Sequence, residues 1–372
     1  MSDHVKLSEV CEILNSNVDK KTKENEQKVK LCNFIDVYNN WAITKYTSKK
    51  FMTATATQNE INKFSLKKGY VAITKDSETK DDIGISTYIA DNFDNVLLGY
   101  HCTLLKPNQK VLNGKFLNAY LSSFYGRKYF SNCASGSGQR YTLTIDIIKD
   151  LTIPLINIET QQKIARTLSI LDQKIENNHK INGLLHTLAY KIYEYYFKYK
   201  PKNAKLEQII IENPKSSIMV KNAQKTQDKY PFFTSGDNIL FYPKAIIDGR
   251  NCFLNTGGNA GIKFYVGKAS YSTDTWCICA NEFSDYLYLL LSSIKTHINQ
   301  SFFQGTSLKH LQKNLLKKYP IYMPSAHEIK KFNQIIMPLL TLISINTRTS
   351  KNLEQIRDFL LPLLLKQQVK PQ

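Results

Sequence analysis

Residue types suited to catalysis are present in this sequence, but not at catalytic spacings. Asp76, Glu78, Asp81 and Asp82 lie together with Lys75 and Lys80 beside them. Strand-borne in an Asp…Glu-x-Lys order they would suit a divalent metal and nuclease chemistry. They fall instead in one polar stretch, which predicts a solvated loop. Asn213-Pro214-Lys215 approaches the Asn/Asp-Pro-Pro-aromatic loop of adenine methyltransferases, which act on an extruded base, but lacks the second proline and the aromatic. The glycines of Asn255–Gly261, NTGGNAG, would let a backbone approach a phosphate closely. No Gly-Lys-Ser/Thr follows, so this is no P-loop, and a tight hairpin turn fits it as well. The seven cysteines form no Cys-x-x-Cys pair. Cys277 and Cys279 would share one face of a strand and read as core or surface thiols rather than a metal site. The seven histidines are scattered singly, and His101 and His186 read as packing residues. No catalytic residue, metal or cofactor is expected in this chain.

The formal charge of +19 points to a different chemistry. Lysine and arginine in excess bind nucleic acid by releasing counterions from its phosphates, although a Lys-rich composition also supplies plain solvated surface. The excess is spread along the chain, so any binding surface is built by folding. Lys, Arg and Ser contact phosphates, and Arg, Lys, Asn and Gln read bases. The candidates are Lys45, Lys49, Lys50 and Lys75 in the first half, and Lys221, Lys225, Arg250 and Lys263 in the second. Arg250, after a turn in IIDGRN, fits a solvent-facing position equally. The opening MSDHVKLSEV has no leader character, and no apolar run reaches bilayer length. These features predict a reduced, cytoplasmic protein without a membrane partner.

Two segments must position whatever binds. Residues 160–197 and 328–365 both read as long helices, and a shift of 168 residues superposes their apolar positions. Ile164 meets Phe332, Leu168 meets Ile336, Leu171 meets Leu339, and Ile175 meets Ile343. Asn178 meets Asn346, Leu185 meets Leu353, and Ile192 meets Leu360. The steps alternate between four and three, the mark of a heptad seam along which helices pack. Asn182 meets Ser350, so polar places repeat too, whereas Ala189 meets Arg357. The seam asparagines either fix register from a buried position or lie at a solvated edge. Each helix would span about 57 Å. Pro338 predicts a bend or a late start in the second helix, and Pro362 an early end.

Before each helix stands a similar segment, GSGQRYTLTIDIIKDLTIPL at 136–155 and QGTSLKHLQKNLLKKYPIYMP at 304–324. Each reads as a short helix or turn, then a strand ending at proline. The globular parts read as strand-rich. VKLCNFIDVYNN predicts a strand with a turn, residues 64–90 predict strand, acidic loop and strand, and VLLGYHCTLLKP predicts a further strand. Single helices are expected over 114–130 and 285–303. The second part offers short strands with Gly-rich turns. The class is α+β, with antiparallel β-rich domains at 1–157 and 199–325 alternating with long helices at 158–198 and 326–368.

With these residues in view, the chain resembles the specificity subunits of type I restriction–modification systems over essentially its whole length. KLSEV at 6–10 and KLEQII at 205–210 look like the openings of two target-recognition domains. FSLKKGYVAITKDSETKDDIG resembles one type of recognition domain, with Tyr70 where the family usually has Asp. YPFFTSG and LNTGGNAGIKFYVGKASYSTDT resemble another type. GSGQRYTLTIDIIKDLTIPLINIETQQKIA resembles the lead-in to the first conserved helix. The second half keeps QGTSLKHL and MPSAHEIKKF, but Ala326, His327 and Ile329 replace a Glu/Gln-rich stretch. The resemblance implies a pseudo-two-fold protein whose helices pair as an antiparallel coiled coil. Each recognition domain would read half of a bipartite, asymmetric double-stranded DNA site. The matched seam residues would pair the helices and dock two modification (methyltransferase) subunits, with restriction (motor–nuclease) subunits joining them. S-adenosylmethionine, ATP and Mg would belong to those partners. A recognition module of another restriction–methylation enzyme, or a coiled-coil scaffold without a DNA role, are the alternatives.

Overall fold

The computed structural model describes residues 3–80, 82–136, 140–223, 229–236 and 239–366. The chain divides into two compact units, Met1–Gln173 with Ile356–Gln372, and Lys174–Gln355. Both long helices are thus shared, each unit taking part of each.

The first helix runs Ile158–Tyr193 and passes into one π turn at Glu194–Lys198. The second runs unbroken from Ala326 to Leu365. Asn157 caps the first, its Oδ1 accepting from the Thr160 N–H at 2.8 Å. Ser325 and Glu328 form a reciprocal box at the start of the second. The late start expected at Pro338 and the early end at Pro362 do not occur. Pro338 is exposed, and so is Gln334, whose carbonyl loses its usual donor. Water can serve that carbonyl, so the proline is tolerated on the outer face.

In the first unit a five-stranded sheet has the order Cys11–Asn15, Cys102–Pro107, Val71–Thr74, Ser86–Ile89, Ala42–Ile43. A three-stranded sheet has Gln27–Cys32 at its centre, antiparallel to Met52–Ala56 and parallel to Val96–Leu98. In the second unit a four-stranded sheet runs Ile211–Glu212, Thr275–Cys279, Arg250–Asn255, Ile262–Val266. Its three-stranded partner has Tyr230–Phe233 at the centre, antiparallel to Leu240–Tyr242 and parallel to Ser270–Tyr271. Apart from Ala42–Ile43, a fifth strand parallel to Ser86–Ile89 that has no counterpart among the described residues of the second unit, the units repeat one topology in order and direction, although little sequence is shared. The parallel pairings depart from the purely antiparallel expectation. Each unit is also clasped in the same way. Asp3–Lys6 pairs antiparallel with Thr152–Leu155, and Ala204–Lys205 with Pro320–Ile321. The Leu7 and Leu206 N–H groups then donate to the Leu151 and Tyr319 carbonyls, 168 residues apart.

Four local expectations change. NFIDVYNN is mostly helix, Phe34–Asn39, not strand. Asn33 and Asp36 form a capping box there, which outweighs the β-branched residues. VLLGYHCTLLKP makes two strands in different sheets, turned at residues 99–101. Helix 114–130 breaks at Ser123 into Gly114–Ser122 and Phe124–Cys133. Helix 285–303 breaks at Ile294 into Ser284–Ser293 and Lys295–Ser301.

Candidate nucleic-acid interface

The helix seam is the first part of the site. All seam positions are buried or half-buried. Ile164 and Leu168 share the first unit's core with Leu361 and Leu364, and Leu360 packs against it. Phe332, Ile336 and Ile343 lie in the second unit's core, with Leu185, Ile192 and Leu339 packed against them. Ile175 is buried, and Leu171 and Leu353 are half-buried. In the second unit the helices run antiparallel. Asn178 Nδ2 donates to Ser350 Oγ at 3.2 Å, and Asn346 Nδ2 donates to Asn182 Oδ1 at 3.0 Å. Since 346 and 350 are the repeat equivalents of 178 and 182, each contact is the mirror of the other under the repeat. Asn182 also reaches the Ile343 carbonyl and Thr347 at 3.3 Å. The asparagines therefore bond across the seam and are not left at a solvated edge. Arg357, the one mismatch, has its own partners in the first unit. Its guanidinium sits 4.3 Å over the Trp41 ring and 3.6 Å from Asp172, which also meets Lys115 at 2.9 Å.

The candidate cations separate. Lys45, Lys49 and Lys50 are exposed around the turn Thr47–Lys50, and Lys221 is exposed on the short helix Val220–Ala223. Lys75 is half-buried, its ammonium 3.5 Å from the Ser16 carbonyl. Lys225 lies outside the described residues, as does Asp81 of the acidic stretch. Arg250 is a correction. Its side chain is only 16% exposed and forks onto Asp285 with two bonds of 2.5 Å. It further donates to Thr341 Oγ1 at 2.9 Å and the Met337 carbonyl at 3.3 Å. Burial pushes the Asp285 carboxyl above its usual range, and Arg250 opposes that rise. Lys263 is a second correction, since its ammonium bonds the Thr234 carbonyl at 2.6 Å and thereby ties a loop within the unit. The Asn255–Gly261 loop is the turn of a hairpin, closed by Asn255 N–H to the Gly261 carbonyl at 3.0 Å. Asn213 is likewise engaged, with Nδ2 2.9 Å from Asn251 Oδ1. The cysteines are free thiols, and burial holds Cys11 up to about 12. His186 meets the Tyr288 hydroxyl at 3.3 Å, and burial lowers its pKa.

His101 is not a packing residue. Its Nδ1 lies 2.7 Å from Asp76 Oδ2, and a carboxylate acceptor places the proton on Nδ1. A terminal nitrogen of Arg140 lies 3.2 Å from the same ring nitrogen and 3.6 Å from Asp76 Oδ2. The Tyr100 ring covers His101 at 3.7 Å between centroids. Tyr38 donates to Asp82 at 3.1 Å. Tyr38, Asp76, Asp82, His101 and Arg140 line one open cavity of about 650 Å³.

Three backbone stretches meet at this cavity, and the same three meet in the second unit. In the first, Leu143 N–H donates to the Lys75 carbonyl, Lys75 N–H donates to the His101 carbonyl, and Thr142 pairs with Asp76. In the second, Leu311 N–H donates to the Thr256 carbonyl, Thr256 N–H donates to the Asp274 carbonyl, and His310 bridges Gly257. Leu143 and Leu311 are equivalents under the repeat. The junction thus keeps its backbone bonds while Asp76 gives way to Gly257 and His101 to Asp274. In sequence, Arg140 carries one signal. The repeat places Leu308 opposite it.

The sequence profile of the type I restriction modification DNA specificity domain matches residues 2–186 and 202–355. The HindI type I restriction enzyme specificity subunit of Haemophilus influenzae is 30% identical over 149 residues, 40% of this chain and 32% of that one. The MjaIX type I restriction enzyme specificity subunit of Methanocaldococcus jannaschii is 24% identical over 80% of this chain and 74% of its own. The crystal structure of the type I restriction–modification S subunit from M. genitalium aligns over 98% of this chain and 96% of that one, with a TM-score of 0.56. At 16% identity that likeness concerns the fold.

Proposed function

Since the chain belongs to the type I restriction–modification DNA specificity family, we propose that it reads a bipartite, asymmetric double-stranded DNA site, one half per unit. The observation that carries this reading is the duplicated topology with diverged side chains. One scaffold used twice gives two readers, and different residues at equivalent places let them read different halves. Protein symmetry then dictates half-site spacing, as it does for dimeric repressors.

In this reading the exposed lysines at 45, 49, 50 and 221 contact phosphates, which position the protein without carrying sequence information. The helices dock two methyltransferase subunits, and motor–nuclease subunits join that assembly. Methyl transfer and cleavage, with S-adenosylmethionine, ATP and Mg, belong to those partners, and the assembly works in the cytoplasm. No helix of the described residues is long and apolar enough to cross a membrane.

Single-molecule methylation mapping in a host carrying this subunit and its partners tests the reading. The expected result is methylation at one asymmetric motif split by a fixed spacer. Methylation without sequence preference would return the chain to the scaffold alternative.

A further inference from the structure

We propose that Arg140 is the residue through which the first unit reads a guanine in its half of the DNA site. The inference rests on the reading of the chain as a DNA-specificity subunit and names a residue for it.

The first argument is the state of the side chain. Arg140 is 58% exposed, yet one terminal nitrogen stands 3.6 Å from the oxygen of Asp76, whose side chain is 17% exposed, so the guanidinium is ion-paired on one side. An arginine on the surface ordinarily loses rotamer entropy on being fixed. Here part of that ordering is already made before DNA arrives. An oriented guanidinium fork is matched to the O6 and N7 acceptors of guanine, which it binds with two parallel bonds.

The second argument separates a base from a phosphate. Asp76, Glu78 and Asp82 line the same cavity. Their charge opposes the approach of a phosphate but not of a neutral base edge that offers only acceptors to the fork. The third argument is the repeat. The junction of the second unit has the same backbone bonds, with Gly257, Asp274 and Leu308 where the first has Asp76, His101 and Arg140. A place preserved in backbone and changed in chemistry is where two readers on one scaffold would differ.

The test uses the full complex of this subunit with its methyltransferase partners, by methylation mapping and by binding to duplexes carrying single base changes. Arg140→Gln is expected to lower discrimination for guanine at one position of one half-site by roughly 10- to 100-fold, with the other half unchanged. Arg140→Lys keeps the charge but loses the planar fork, so it relaxes the same position less than Arg140→Gln does and guards against a folding defect. Asp76→Asn loosens the support and relaxes that position in part. A uniform loss across all sequences, with a shallower salt dependence, would make Arg140 a phosphate contact and overturn the proposal. So would unchanged recognition, or a wild-type motif with no guanine in either half. A wild-type complex that methylates without sequence preference would instead fail the broader reading.

Discussion

At the scale of the residue, the buried ion pair of Arg250 and Asp285 is the sharpest energetic feature. Asp285 is 1% exposed, and both its oxygens are taken by one guanidinium. Removing one partner of such a pair leaves a buried charge and costs about 3–5 kcal/mol, whereas replacing both with apolar residues is often neutral. Arg250→Ala is expected to destabilise the protein by about that amount, and Arg250→Leu with Asp285→Leu to recover most of it. The sign of the pH effect follows from the raised Asp285 carboxyl. A carboxyl whose folded pKa lies above its unfolded value costs stability progressively as pH rises through that interval. Without Arg250 the interval widens, so chemical denaturation should show a larger deficit at pH 8 than at pH 5. An equal deficit at both would mean that Asp285 is not the orphaned group.

At the scale of the element, the two long helices are held by different contacts along their length. Phe197 packs on Phe332 at 4.9 Å and on Tyr286 at 5.2 Å between ring centroids, so this helix end is part of a domain core. Ile336→Ala is expected to cost about 2–5 kcal/mol in denaturant unfolding, because it removes fully buried methyl groups from the core and leaves a cavity. The polar stretch should behave differently. Asn182→Leu removes the acceptor of Asn346 and should destabilise by about 1 kcal/mol, while adding Asn346→Leu should restore stability, since both partners are then gone. Additive losses in that double-mutant cycle would show that the pair is not coupled.

At the scale of the whole molecule, helix length is the quantity the proposed function depends on. A heptad adds about 10.5 Å of helix, close to three base pairs of duplex at about 3.4 Å each. Inserting one heptad at matched places in both helices preserves the seam, because the period of the contacts is seven. Methylation mapping of that variant is expected to show the same two half-sites with a spacer longer by about three base pairs. An unchanged spacer would remove the helices from any role in setting it.

The helices were legible in the sequence because their signal is local and repeated. A seam of alternating fours and threes needs no knowledge of what it packs against, and the offset of 168 residues marked both copies. KLSEV and KLEQII resemble the openings of two recognition domains, but the strand clasp that each starts is seen only in the folded chain. The family followed from the order of such segments. The shared sheet topology of the units was not visible, since backbone pairing leaves little trace where strands are only two to six residues long. Charge misled wherever an internal partner was distant in sequence. Nothing near Arg250 announces Asp285, 35 residues on, and nothing near Lys263 announces the Thr234 carbonyl. Conversely, Asp76, His101 and Arg140 are 25 and 39 residues apart at each step; alone, Asp76 reads as loop and His101 as packing, and Arg140 drew no reading. A side chain's role depends on which groups stand within a few ångströms of it. For helices that pack by period the sequence states this, and for charges gathered from separate strands only the folded chain decides it.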